Sequence, residues 1–212
     1  MEPILDGIIT GILNTSALEW IAVATGLMSV WFSMKENILV YPTGIVSVLI
    51  YVYLAFQYKL YADAGVNSYY FVMSVYGWYY WTNTNREDRD QVPVTINSKM
   101  ENIASAALLV ISFVILYLVL FFLTDSDVPF WDALTTCFAI LGMWLMARKK
   151  LGNWIAWIIT DLISIPLYFY KGLVLTSFQF LFFTILAIAG YFAWRKSLEA
   201  EVADSASEKV YD

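Results

Sequence analysis

A carboxylate, Asp161, stands in the middle of an apolar run, and the residues that share its helical face are of the kind that hold a cation. In Gly152 to Tyr168, GNWIAWIITDLISIPLY, a helical wheel brings Asn153, Trp154, Trp157, Asp161, Ser164 and Tyr168 within an arc of about 100°, with Thr160 at its edge. The opposite side is Ile155, Ile158, Ile159, Leu162, Ile163 and Ile165, which suits lipid or packed helices. Tryptophan is the best cation-π platform, worth about 2 kcal/mol when desolvated, and a carboxylate supplies the opposite charge. A flat aromatic ring with a fixed positive charge uses both groups, whereas a neutral sugar leaves the carboxylate uncompensated. A proton-coupled carrier uses the same acid by releasing its proton. The bland alternative is a structural carboxylate, protonated or tied to a neighbouring hydroxyl.

The helix that positions these groups must cross a membrane. Asp161 lies roughly 14 Å from Gly152 at about 1.5 Å rise per residue, near the middle of a hydrocarbon core about 30 Å thick. Charge at that depth is expensive, and its default meaning is a binding or conduction role. The whole chain agrees: it has 212 residues, 60% hydrophobic and 14% charged, with a mean hydropathy of +0.65, well outside the range of soluble domains. No histidine occurs, and Cys137 is the single cysteine, so zinc sites, disulfides and a Cys-His dyad lack partners. No phosphate-loop motif is present. The N-terminus lacks a basic stretch before an apolar core, so no cleavable signal peptide is expected.

Seven apolar segments are expected, over 18 to 34, 38 to 58, 67 to 83, 102 to 123, 130 to 147, 152 to 170 and 173 to 194. Lys35, Arg86, Arg89, Lys99, Arg148, Lys149, Lys150, Arg195, Lys196 and Lys209 fall to one side of this arrangement and only Lys59 and Lys171 to the other. The positive-inside rule then puts the N-terminus outside and the C-terminus in the cytoplasm. The charged stretch 195–212 reads as a disordered tail.

A gapless shift of 113 residues superposes Trp31 on Trp144, Gly77 on Gly190 and Trp81 on Trp194, and places Lys35 on Arg148. The fold expected is therefore an all-α integral membrane protein, a 3+1+3 arrangement. A first three-helix repeat spans 18–83, a polar loop with a linking helix spans 84–123, and a second repeat spans 130–194. Parallel repeats of this kind place a substrate near the midplane between the units. The first unit's counterpart of the opening stretch has Tyr41 at Trp154, Gly44 at Trp157 and Val48 at Asp161, so the repeat breaks where the chemistry would be.

Two further stripes carry polar or aromatic groups. In the seventh segment Gln179, Phe183, Leu186, Gly190 and Trp194 align, and in the third Tyr69, Met73, Tyr76 and Tyr80 do. Trp20, Trp81, Trp131 and Trp194, at segment ends, read as interfacial anchors. A retinal protein is excluded because Leu173 to Trp194 holds no lysine for a Schiff base. An intramembrane enzyme is disfavoured because no second carboxylate, histidine or cysteine is expected beside Asp161 within the segments.

YGWYYW at 76–81, FWDAL at 130–134, RKKLGNWIAWIITD at 148–161 and YKGL at 170–173, followed by Gly190 and Trp194, resemble the PnuC family of bacterial vitamin carriers. The resemblance covers essentially the whole membrane region. It implies a 3+1+3 fold similar in spirit to the SWEET sugar carriers, a homotrimer in the bacterial inner membrane, and no catalytic, cofactor or metal site. It implies facilitated diffusion of a small cationic vitamin, best known as nicotinamide riboside, with trapping by a cytoplasmic vitamin kinase and no nucleic-acid partner. The family pattern puts substrate contacts on Asn153, Trp157, Gln179 and Phe183; Trp154, Asp161, Tyr76 and Tyr80 join them from the residues alone. Where this chain has Asp161, the nicotinamide riboside carriers commonly have asparagine. That departure keeps thiamine open as the substrate, with riboflavin behind it.

Overall fold

The computed structural model describes residues 16–83 and 92–211, the side chains of Ala62, Leu175 and 204–211 apart; Arg86 and Arg89 lie outside the described residues. Among the described residues seven helices follow one another: α1 Ala17–Met34, α2 Val40–Gln57, α3 Tyr61–Thr82, α4 Lys99–Leu123, α5 Pro129–Ala147, α6 Gly152–Tyr170 and α7 Val174–Tyr211. The starts of α1 and α4 are written in the sequence as S-x-x-E. Ser16 and Ser98 accept from the amides of Glu19 and Glu101, whose carboxylates accept in return from the serine amides, a reciprocal pairing that satisfies helix-end donors.

Five helices, α1, α2, α4, α5 and α7, are long and apolar enough to cross a membrane. The other two, α3 and α6, are diluted by polar residues such as Asp63, Asn67, Asn153 and Asp161. Packing explains how they are tolerated. α1 packs on α2, α2 on α3, α3 on α5, α5 on α6, α6 on α7 and α7 back on α1, a closed ring of six helices. Polar groups that face the inside of such a ring are kept from lipid. α4 lies outside it, against α5, and presents Val110, Ile111, Val114, Ile115 and Leu118 outward. Cys137, on α5, is fully buried.

Residues 113 apart recur in matching local structures. Glu36 and Lys149 take φ of 54° and 53° in the turns after α1 and α5, and Lys59 and Gly172 take 60° and 76° after α2 and α6. The Tyr41 ring lies against Gly77 and meets Trp81 edge-on at 5.2 Å and 86°; Trp154 lies against Gly190 and meets Trp194 at 5.5 Å and 87°. A side chain at either glycine would collide with the ring.

Trp81 and Trp194 are buried completely and pack on each other at 5.8 Å. The expectation that both are interfacial anchors is thereby corrected, while Trp20 and Trp131 are half exposed. Trp81 Nε1 donates to the carbonyl of Met146 at 3.2 Å, and Trp194 Nε1 donates to that of Ser33 at 2.8 Å. Each indole thus crosses to the other half of the chain, and satisfying its N–H there is what makes its burial affordable. Beside them Lys149 pairs with Glu36 at 3.1 Å and sits 4.6 Å over the Trp81 ring. Burial pushes the Lys149 ammonium below the usual lysine range, and Glu36 opposes that shift.

The segment from Val92 to Asn97 lies across the same end of the bundle. Val92 N donates to Trp81 O, Thr95 N to Lys149 O and Leu151 N to Thr95 O, and Val94 is buried in the aromatic cluster. Glu101 holds Arg148 at 3.1 Å and Lys150 at 2.9 Å. α7 does not stop at Trp194. It continues to Tyr211 where a disordered tail from 195 is expected, because Leu198 packs on the aromatic cluster and Arg195 pairs with Glu199 one turn on.

Candidate binding cavity

The ring encloses a cavity of about 570 Å³. All six ring helices contribute to its wall and α4 does not. From α6 come Trp154, Trp157, Thr160, Asp161, Ser164 and Tyr168, which is the face that the 3.6-residue period picks out. Ile155 and Leu162, on the opposite side of the helix, are exposed on the outside of the ring.

Asp161 is only 4% exposed, and it makes no hydrogen bond or ion pair with another described residue. A carboxyl so placed is costly to keep charged without an opposite charge beside it. Its neighbours supply no cation. Thr160 donates to its own helix at Ala156 O. The aromatic walls are fixed more firmly: Trp157 is met edge-on by Tyr70 at 6.4 Å, and Tyr168 stacks on Phe180 at 5.0 Å and 23°. Trp154 Nε1 is buried without an acceptor.

Gln179 and Phe183, from α7, line the cavity as expected. Three expected residues do not. Asn153 is fully buried at the start of α6 and donates to Lys150 O at 2.7 Å, its Oδ1 left unpartnered. Tyr76 stacks on Trp144 at 6.3 Å and 6°, and Tyr80 packs against Tyr76 and the Trp81 cluster, both away from the cavity wall.

The structure adds residues that the sequence reading passes over. Asp63 sits in the first turn of α3, exposed at the end of the cavity away from Lys149, and Asn67, Tyr70 and Ser74 follow it down the wall. A second carboxylate therefore does share the cavity with Asp161, which corrects the expectation of none. The signal was hidden because α3 starts at Tyr61, six residues before its apolar run. On the α1 and α2 side the wall includes the small residues Gly26, Ser29, Gly44 and Ser47, beside Leu27, Val30, Val48 and Tyr51. The turn cluster of Asp125, Asp127, Asp132 and Lys171 forms a separate shallow recess, where Asp132 is bound by Lys171 at 2.6 Å and by Ser126 at 2.7 Å.

A cavity lined by a ring of apolar helices, with an unpartnered acid and aromatic faces on one wall, suits a small-molecule carrier of the membrane-embedded kind. The sequence model described as nicotinamide mononucleotide transporter matches residues 16–196, so the chain belongs to that family, to which the PnuC carriers also belong. It is 24% identical over 208 residues to the nicotinamide riboside transporter PnuC of Escherichia coli (strain K12), covering 87% of both chains. It is 26% identical over 173 residues to the riboflavin/roseoflavin transporter RibM of Streptomyces davaonensis, covering 80% of both. The crystal structure of the vitamin B3 transporter PnuC shares the fold, with a TM-score of 0.69 at 23% identity over 91% of this chain and 87% of that one.

Proposed function

We propose that this protein takes up a flat aromatic vitamin with a fixed positive charge, nicotinamide riboside first, by facilitated diffusion across the bacterial inner membrane. The observation that carries the reading is Asp161: buried, unpartnered and on the same wall as Trp154 and Trp157. A pyridinium placed there neutralises the carboxylate and stacks on an indole, so one ligand satisfies both groups. Asp63 at the outer end of the cavity gives the same cation an earlier, more solvated partner. The named ligand of the PnuC relatives fits this chemistry. Thiamine fits it also, and the acid at 161 is the specific observation that keeps it as the second reading. Riboflavin, named for a Streptomyces relative, is neutral and would leave both carboxylates unused.

The same reading makes α1–α3 and α5–α7 two similar units linked by α4, rocking about the ligand in turn. Support comes from the matching turn conformations and matching ring-on-glycine contacts 113 residues apart, and from the paired, crossed tryptophan bonds that join the halves at one end. That end, rich in Lys35, Arg148 and Lys149, faces the cytoplasm in this reading, with the N-terminus outside and the carrier a homotrimer. A cytoplasmic kinase phosphorylates the arriving vitamin, which then cannot return. Titration of the purified protein with nicotinamide riboside, thiamine and riboflavin, followed by tryptophan fluorescence, tests the ligand. Saturable quenching by nicotinamide riboside, lost in Asp161→Ala, is the expected result; quenching by thiamine alone changes the vitamin, and quenching by riboflavin alone sinks the cation reading.

A further inference from the structure

Gly142, on α5, faces the indole of Trp157, on α6. A β-carbon built at residue 142 would lie 2.9 Å from Trp157 Cε2, 3.1 Å from Cδ2 and 3.2 Å from Nε1. Nearly equal distances to three atoms around the ring fusion put such a carbon over the face of the indole and not at its rim. Trp157 lines the cavity and Gly142 does not, so the ring lies between the glycine and the cavity. Tyr70 meets it edge-on, and Met73, Met143 and Ala147 form the cluster it packs against. α5, Tyr70 and the methionine cluster thus hold the ring where it borders the cavity.

The related position in the other half of the chain is built differently. A shift of 113 residues turns Trp157 into Gly44 and Gly142 into Ser29. There a β-carbon at residue 44 would meet Ser29 Oγ at 2.9 Å, a hydroxyl that donates to Val40 O at 2.8 Å, and Ser29 and Gly44 both line the cavity as small residues. Each half thus carries one glycine in the pair, on opposite helices. Only the second half uses the space to seat an aromatic ring.

We propose that Gly142 is a positioning residue for the substrate: by letting Trp157 lie flush against α5, it sets the width of the slot between the indole and the small-residue wall of α1 and α2. The inference rests on the reading of Trp157 as the platform for a flat ring. A methyl group at 142 cannot be absorbed at the fused centre of a rigid indole, so the whole ring moves toward the cavity by roughly half an ångström. A shift of that size narrows the slot, and overpacking of a fitted contact is costly, enough to disturb a ring that must fit face to face.

The test is a double-mutant cycle on the full-length purified protein, with nicotinamide riboside as the probe and binding read by calorimetry, since tryptophan itself is altered. Gly142→Ala should weaken binding roughly tenfold. In a Trp157→Phe background, where the smaller ring leaves room for the methyl, the same change should have less than about a twofold effect, so the two substitutions are strongly non-additive. Melting temperatures of all four proteins separate packing from positioning. A lower melting temperature for Gly142→Ala with affinity equal to that of the wild type overturns the proposal, as do additive effects on affinity. If Gly142→Ala yields no folded protein, Trp157→Phe must restore both folding and binding, and failure to do so counts against it. Wild-type protein that binds none of nicotinamide riboside, thiamine and riboflavin overturns the reading of the cavity, and this inference with it; wild-type binding that Gly142→Ala leaves intact overturns the inference alone.

Discussion

In the proposed reading Asp161 serves a ligand at some cost to the fold, and the two effects should separate on substitution. Asp161→Asn keeps the shape and removes a buried carboxyl group, so the melting temperature should rise while affinity for thiamine falls at least about tenfold. Measuring both on the same preparation decides it: a fall in both would make Asp161 a structural acid. Asp63→Asn should act more weakly, mainly through a slower association rate whose difference from wild type fades with added salt, because Asp63 is exposed at the cavity end. The α6 wall was legible in the sequence because residues 154, 157, 161, 164 and 168 repeat at helical spacing, and polar groups gathered on one face of an apolar helix mark the side turned away from lipid. Tyr76 and Tyr80 obeyed the same spacing on α3 but face Trp144 and the Trp81 cluster. Periodicity says which residues share a face, and it does not say which neighbour that face meets.

The crossed tryptophans hold the halves together at the level of helices. Trp81 reaches α5 and Trp194 reaches α1, through one indole donor each. Trp81→Phe and Trp194→Phe should therefore lower stability by similar amounts, about 1 to 2 kcal/mol apiece, and the double substitution by less than the sum because the rings touch. Thermal melts in detergent would show it; a large inequality would mean that the two contacts are not equivalent. Glu36→Gln should cost more, a few kcal/mol, since it strips a partner from the buried Lys149 ammonium. Exchanging the charges, Glu36→Lys with Lys149→Glu, should recover only part of that loss, because a carboxylate over the Trp81 ring meets the negative face that Lys149 now occupies. None of this was readable from the chain. Tryptophan at the end of an apolar run usually marks the lipid surface, and the carbonyls that capture these two lie 65 and 161 residues away. The continuation of α7 was hidden for a related reason, since composition predicts what a segment does alone and Leu198 is not alone.

For the molecule as a whole, the order and number of helices followed from hydropathy, whereas the closed ring with α4 left outside it depends on contacts that no single segment announces. The proposed mechanism has a bulk signature. Vesicles containing only this protein should equilibrate nicotinamide riboside at the same rate with and without a proton gradient, and a rate that collapses with the gradient would make Asp161 a proton carrier. Orientation can be read from the turns, since Lys59 and Lys171 share one end of the bundle and Lys35 and Arg148 the other. Lys59→Cys should react with a membrane-impermeant maleimide added outside intact cells, and Lys35→Cys only after lysis. Cys137 makes that experiment simple. As the single thiol of the chain, sealed within α5, it leaves the native protein blank to water-borne thiol reagents, so every cysteine added by design becomes a reporter on an unmarked background.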